Sequence, residues 1–96
     1  PMLGLYAAVT RKTLSGIPEG GWFPHEKLTI EEAIQAYTLN TAYAGFEENI
    51  KGSLEVGKLA DMVVLSENLL EISPDNIKDV TVKTTIIGGV VVFEAD

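Results

Sequence analysis

Gly52-Ser53-Leu54-Glu55-Val56-Gly57-Lys58-Leu59-Ala60-Asp61-Met62-Val63-Val64-Leu65 reads as two chain reversals followed by a strand. Gly52 and the tetrapeptide Glu55-Val56-Gly57-Lys58 supply the reversals, and Gly57 can take the positive φ that the third position of a type II turn needs. Met62 to Leu65 is an unbroken apolar run. A half-exposed strand alternates apolar and polar residues, so this run predicts a strand covered on both faces, with the cover drawn from elsewhere.

Working outward, the sequence from Val80 alternates. Val80, Val82, Thr84 and Ile86 share one face, and Thr81, Lys83, Thr85 and Ile87 the other, up to Gly88-Gly89. A two-residue Gly-Gly loop fits the primed turns whose twist matches paired strands, so a hairpin is predicted with Val90 to Phe93 returning. Between the two strand regions, Ser73-Pro74-Asp75-Asn76-Ile77 predicts a short capped turn with proline in the first helical position, anchored by Leu69 and Leu70. On the N-terminal side, Thr29 and Glu32 form a T-x-x-E capping box. Ile30, Ala33, Ile34, Tyr37, Thr41 and Ala44 then follow the helical period to Gly45, which is expected to cap in the left-handed conformation. Ala36, Leu39, Ala42 and Tyr43 on the opposite side make this a largely covered helix. Met2, Leu5, Tyr6 and Val9 predict an earlier helix over residues 2–12, with Arg11 and Lys12 complementing its C-terminal dipole. Between the helices, Leu14–Lys27 holds Gly16, Pro18, Gly20, Gly21 and Pro24 and is predicted to be a loop without regular structure. Trp22 and Phe23 stand at its centre, either packed down or forming a contact surface.

The 96 residues allow one small domain, and at this size roughly 60–65 per cent of the unfolded surface can be buried. A net charge of −7 with seven Lys and Arg argues against a nucleic-acid partner, which demands a basic face. No cysteine means no disulfide framework and no thiolate metal site, which suits a cytoplasmic protein. No basic leader opens the sequence and no apolar run approaches the roughly 20 residues that span a bilayer, so no membrane partner is expected.

Few residues offer chemistry. His25 is the one histidine, set between Pro24 and Glu26, and no H-x-H or H-x-x-x-H pair exists. A lone histidine is a poor ligand set, so His25 reads as a surface residue. Asp61, ahead of the apolar run, is either an acid/base group or a hydrogen-bonded turn carboxylate, and the second reading is the expectation. Glu31-Glu32 and Glu47-Glu48 are read as charge at helix ends, because adjacent helical residues do not face one atom. Lys58 follows a glycine but lacks the frame of a phosphate loop. Ser53 and Ser66 have no histidine base near in sequence. No catalytic, cofactor-binding or metal-ligating residue is assigned.

Gly52–Leu65 resembles the G-S-[IL]-E-x-G-K-x-A-D-[FLM]-V-V-L signature near the C-terminus of metal-dependent hydrolases of the amidohydrolase superfamily. Val56 stands where that family commonly has proline. Pro1–Arg11 and Leu28–Thr38 resemble the last barrel helices of the subgroup that includes amide and formamide hydrolases. The resemblance implies an α+β piece, incomplete on its own. Residues 1–50 would be two helices from the end of a TIM barrel with the loop 14–27, and residues 51–96 the strands of a small accessory β-sandwich. It implies further that the parent enzyme uses a divalent metal, with zinc expected, on amide-type, non-peptide C–N bonds. The barrel-closing metal aspartate of the family lies upstream of the helix that Pro1–Arg11 resembles, so this chain alone is expected to be inactive and its role structural. The implied partner is the N-terminal remainder of the same enzyme. Uncovered apolar strands, Met62–Leu65 and Val90–Val92 among them, lead us to expect a homo-oligomer, with exchanged strands as one route. The alternative function is a free-standing interaction module that uses the Trp22/Phe23 loop.

Overall fold

The structure, a computed structural model, describes all 96 residues, Pro1–Asp96. It is a small α+β chain: helices α1 (Met2–Thr10), α2 (Ile30–Tyr37) and α3 (Leu39–Ala44), strands β1 (Met62–Leu65), β2 (Val82–Ile87) and β3 (Val90–Glu94), and 3₁₀ segments at Pro24–Glu26 and Pro74–Asp79. No helix is long and apolar enough to cross a membrane. The elements gather into two compact units, Pro1–Ile34 with Glu67–Thr81 and Gln35–Ser66 with Val82–Asp96. The units interleave in sequence.

In the first unit, α1 packs on the 3₁₀ segment Pro74–Asp79. The helical stripe buries Leu5, Tyr6 and Val9, joined by Leu69, Ile77, Val80 and Ala33. Leu69 anchors the turn as expected, whereas Leu70 is exposed. Ser73 accepts a backbone bond from Asn76 and provides no side-chain cap. Thr10 donates its hydroxyl to the Tyr6 carbonyl at 2.7 Å and the Tyr6 hydroxyl donates to the Thr13 carbonyl at 2.8 Å, so the polar groups of this core are satisfied. The helix ends at Thr10 rather than residue 12 because Arg11 turns left-handed, with φ 54°. Neither Arg11 nor Lys12 therefore serves the last turn. Lys12 instead pairs with Asp75 at 3.1 Å.

The loop holds more structure than expected, including the 3₁₀ turn at Pro24–Glu26. The amide of Trp22 donates to the Arg11 carbonyl at 2.9 Å, Gly21 to Pro18 at 2.9 Å and Leu28 to Ala8 at 3.0 Å. Thr13 and Ile17 are tied by a further backbone bond of 2.8 Å. Glycine and proline remove ladder geometry but leave amides free for such isolated turns. Gly21, at φ +91°, lies where an added Cβ would run into the Thr10 carbonyl oxygen.

The capping box forms as expected. Glu32 N–H donates to Thr29 Oγ1 at 3.1 Å and Thr29 N–H donates to Glu32 Oε1 at 2.9 Å. The single helix expected to Gly45 is, however, two helices. Thr38 leaves helical geometry at φ −116°, ψ −89°, and the Thr41 hydroxyl donates at 2.6 Å to the Ala36 carbonyl. A short hydroxyl that satisfies a backbone carbonyl competes with the helical ladder, a local rivalry that periodicity does not register. Gly45 has an ordinary negative φ. The left-handed residue is Phe46, at φ 61°, with Glu47 N–H bonded to Ala42 and Phe46 N–H to Tyr43, a Schellman closure one residue later than expected. Nor are these helices largely covered, since only Ala33 and Ala42 are buried in them.

In the second unit the order of the antiparallel sheet is β1-β2-β3. The hairpin turns at Gly88-Gly89, both at positive φ, as the primed turn requires. The Glu55–Lys58 turn closes with Lys58 N–H on the Glu55 carbonyl at 3.1 Å and Gly57 at φ 94°. The cover expected over β1 is missing: Val63 is 53% and Val64 50% exposed. An apolar run demands a covering surface but cannot say that the same chain provides it.

Three substitutions have expected outcomes. Thr29→Ala should cost about 1 kcal/mol in chemical denaturation, as loss of an N-cap does. The Thr29 amide and hydroxyl hold the Glu32 carboxyl below its usual range. Its contribution is therefore present above the unfolded-state pKa and lost as pH falls through the folded-state value, so acidification should destabilise the native chain more than Glu32→Gln. Equal acid sensitivity would contradict this. Gly21→Ala should destabilise by roughly 1–3 kcal/mol, since it combines a strained φ with a backbone clash. It should also alter the emission of Trp22, the one tryptophan. An unchanged spectrum and midpoint would remove the proposed close approach.

Candidate functional site

Asp61 sits just before β1, and its Oδ1 accepts the Gly88 amide at 2.8 Å. Gly89 N–H adds a bond of 3.0 Å to the Ala60 carbonyl. The carboxylate thus fastens the tip of the β2–β3 hairpin to the start of β1. This is the turn-carboxylate role expected for it, with a partner 27 residues away that no local motif marks.

The signature's other polar residues also serve each other. Ser53 donates its hydroxyl to Glu55 Oε2 at 2.7 Å, and Lys58 Nζ donates to Ser53 Oγ at 2.8 Å and pairs with Glu55 at 3.0 Å. The Ser53 hydroxyl and Lys58 hold the Glu55 carboxyl below the usual range. Lys58 is largely buried beneath this turn, which accounts for a lysine after glycine without a phosphate loop. Ser66 directly follows β1. Of the acid pairs, Glu32 belongs to the capping box and Glu47 binds Lys51 at 2.8 Å, an i,i+4 pair whose hydrogen bond raises the Lys51 pKa.

His25 is exposed, 3.6 Å from Glu26 and edge-on to the Phe23 ring. Oε2 of Glu48 is a buried carboxylate oxygen without a hydrogen-bond partner, yet no three His, Asp or Glu side chains come together as an ion requires. The residues of this chain do not fit a divalent metal.

Sequence reasoning missed one role, that of Arg11. Its Nε donates to the Trp22 carbonyl at 2.6 Å and its guanidinium lies 5.3 Å from the indole centroid. Trp22 and Phe23 meet edge to face at 4.7 Å, with Phe23 in the left-handed region. Both remain exposed, at 61% and 52%. The helical spacing assigned Arg11 to the dipole, and only the folded loop reveals the stacking.

The geometry therefore offers a braced turn and a held aromatic pair. The chain is 32% identical over 90 residues to the N-substituted formamide deformylase of Arthrobacter pascens, spanning 94% of this chain and 16% of that enzyme. It is 48% identical over 65 residues to an imidazolonepropionase of Bacteroides fragilis, spanning 68% of this chain and 16% of the relative. The solved structure of an amidohydrolase from Thermotoga maritima MSB8 superposes with a TM-score of 0.62 at 30% identity, over 75% of this chain and 17% of that one. The chain thus spans about a sixth of the relatives it matches. The model of the amidohydrolase family matches residues 1–93, running through both units from α1 into β3, and to that family the chain belongs.

Proposed function

We propose that this chain is the C-terminal piece of a metal-dependent amidohydrolase acting on amide-type, non-peptide C–N bonds, and that its own part is structural. The observation that carries the reading is the family match over residues 1–93, supported by a relative named for deformylating N-substituted formamides. In this reading α1 to α3 belong to the end of a (β/α)₈ barrel, within residues 1–50, and the three strands to a small accessory β-sandwich within residues 51–96. The partner would be the N-terminal remainder of the enzyme.

The full enzyme would use a divalent ion, with zinc expected, to supply hydroxide at neutral pH. Its ligands would lie outside this chain, in which no three His, Asp or Glu side chains come together. What they do is brace. Asp61 ties the hairpin to β1, Lys58 and Ser53 stiffen the preceding turn, and Arg11 holds the loop. A cysteine-free sequence supports a cytoplasmic setting. The interaction-module alternative is not favoured, because the family match runs through the Trp22/Phe23 loop as it does through the rest.

The purified chain should show no turnover of N-substituted formamides with or without added zinc, and should lose zinc on dialysis. Stoichiometric zinc after dialysis, together with turnover abolished by His25→Ala, would overturn the structural role.

A further inference from the structure

No residue from Leu14 to Lys27 is buried, so this loop adds no side chain to the core that Leu5, Tyr6 and Val9 form with Ile77 and Val80. It is tied to α1 by other means. At its start the Tyr6 hydroxyl donates to the Thr13 carbonyl at 2.8 Å, and just past its end the Leu28 amide donates to the Ala8 carbonyl at 3.0 Å. Between these ends Trp22 meets Arg11, the residue that closes α1. The Trp22 amide donates to the Arg11 carbonyl at 2.9 Å, the Trp22 carbonyl accepts Arg11 Nε at 2.6 Å, and the guanidinium lies 5.3 Å from the indole centroid. None of the chain's ion pairs involves Arg11, so its side chain is committed to Trp22 and to no carboxylate.

We infer that Leu14–Lys27 is a flap, hinged at Thr13 and Leu28 and latched near its middle by the Arg11 side chain, and that it opens and closes without unfolding the core. The free energy of a local opening is set by what the opening breaks. Here that is a few hydrogen bonds and one ring contact at the surface, with no buried apolar side chain to uncover. The hinges are fastened more firmly. Tyr6 is 1% exposed and Ala8 lies inside α1, so both ends of the flap are held by the part of this unit that resists opening longest. Closure also carries backbone strain. Phe23 at φ 49° stands in the left-handed region, which residues other than glycine leave when nothing constrains them. Release of Trp22 lets Phe23 relax, so the strain favours the open flap and the Arg11 side chain opposes it. Two small opposed effects on one segment make a two-state element. The inference is independent of the hydrolase reading, since it concerns the chain's own loop and needs neither metal nor turnover.

Hydrogen exchange of single amides, followed by NMR on the 96-residue chain and corrected for intrinsic rates, tests it. The Trp22 amide is expected to exchange at least about tenfold faster than the Val9 amide in α1 and the Leu28 amide at the hinge, through an opening that mild denaturant does not accelerate. Arg11→Gly removes the side chain while easing the left-handed backbone at that residue, so it separates the latch from the turn. It should speed Trp22 exchange by about tenfold, through loss of a charge-assisted hydrogen bond and a cation–π contact, and should not speed Leu28 or Val9. Arg11→Lys keeps the charge but loses the Nε donor and the planar stack, and should speed Trp22 by a smaller factor. A Trp22 amide as well protected as that of Val9 would overturn the inference. So would an Arg11→Gly chain in which Trp22 is unchanged or slowed, or one in which Leu28 accelerates together with Trp22.

Discussion

The structure depends on how little apolar surface 96 residues can hide. Eight apolar residues are buried, and seven of them, Leu5, Tyr6, Val9, Ala33, Leu69, Ile77 and Val80, lie in the unit formed by Pro1–Ile34 and Glu67–Thr81. Tyr6 and Ile77 are its most enclosed side chains, at 1% exposure each. A fully buried large apolar side chain contributes roughly 1.5–3 kcal/mol, so these few residues supply most of what hydrophobic burial provides here. The second unit has Ala42 alone as a buried apolar residue. It is held by backbone ladders, by the Asp61–Gly88 bond and by the Ser53–Glu55–Lys58 cluster.

That imbalance explains where sequence reasoning succeeded. The capping box, the Gly57 turn and the Gly88-Gly89 hairpin are each decided within about four residues, and all three appear as read. Their physics is local: an amide seeks an acceptor within its own turn, or a backbone needs positive φ. The end of α1, the break at Thr38 and the shift of the cap to Phe46 were not legible, because each turns on a competition between nearly equal local solutions. The cover of β1 failed for a different reason. Met62–Leu65 records that apolar residues seek a surface, and hydropathy holds no record of which chain supplies it.

The candidate site divides the same way. That Asp61 was a turn carboxylate could be read from its neighbours, but its partner could not. Lys58 was legible as something other than a phosphate ligand, and its burial beneath Ser53 and Glu55 gives the positive reason. Arg11 was invisible, since helical spacing assigned it to the dipole while the left-handed turn at that residue carries its side chain to Trp22.

The Trp22–Phe23 pair shows why exposure and disorder should be kept apart. A loop rich in glycine and proline was expected to lack regular structure, with its aromatics packed down or forming a contact surface. Yet Trp22 is fixed through its amide, its carbonyl and its ring, all three to Arg11, and Gly21 is pressed against Thr10. Phe23 occupies a region of φ that a side chain other than glycine enters only under constraint. Holding two aromatics half in the open this way spends backbone strain for only partial burial. The same logic applies to the sheet face, where Val63 and Phe93 lie open across from Thr85. In both places the backbone fixes apolar side chains before anything covers them, which lowers the entropy cost of whatever surface eventually does.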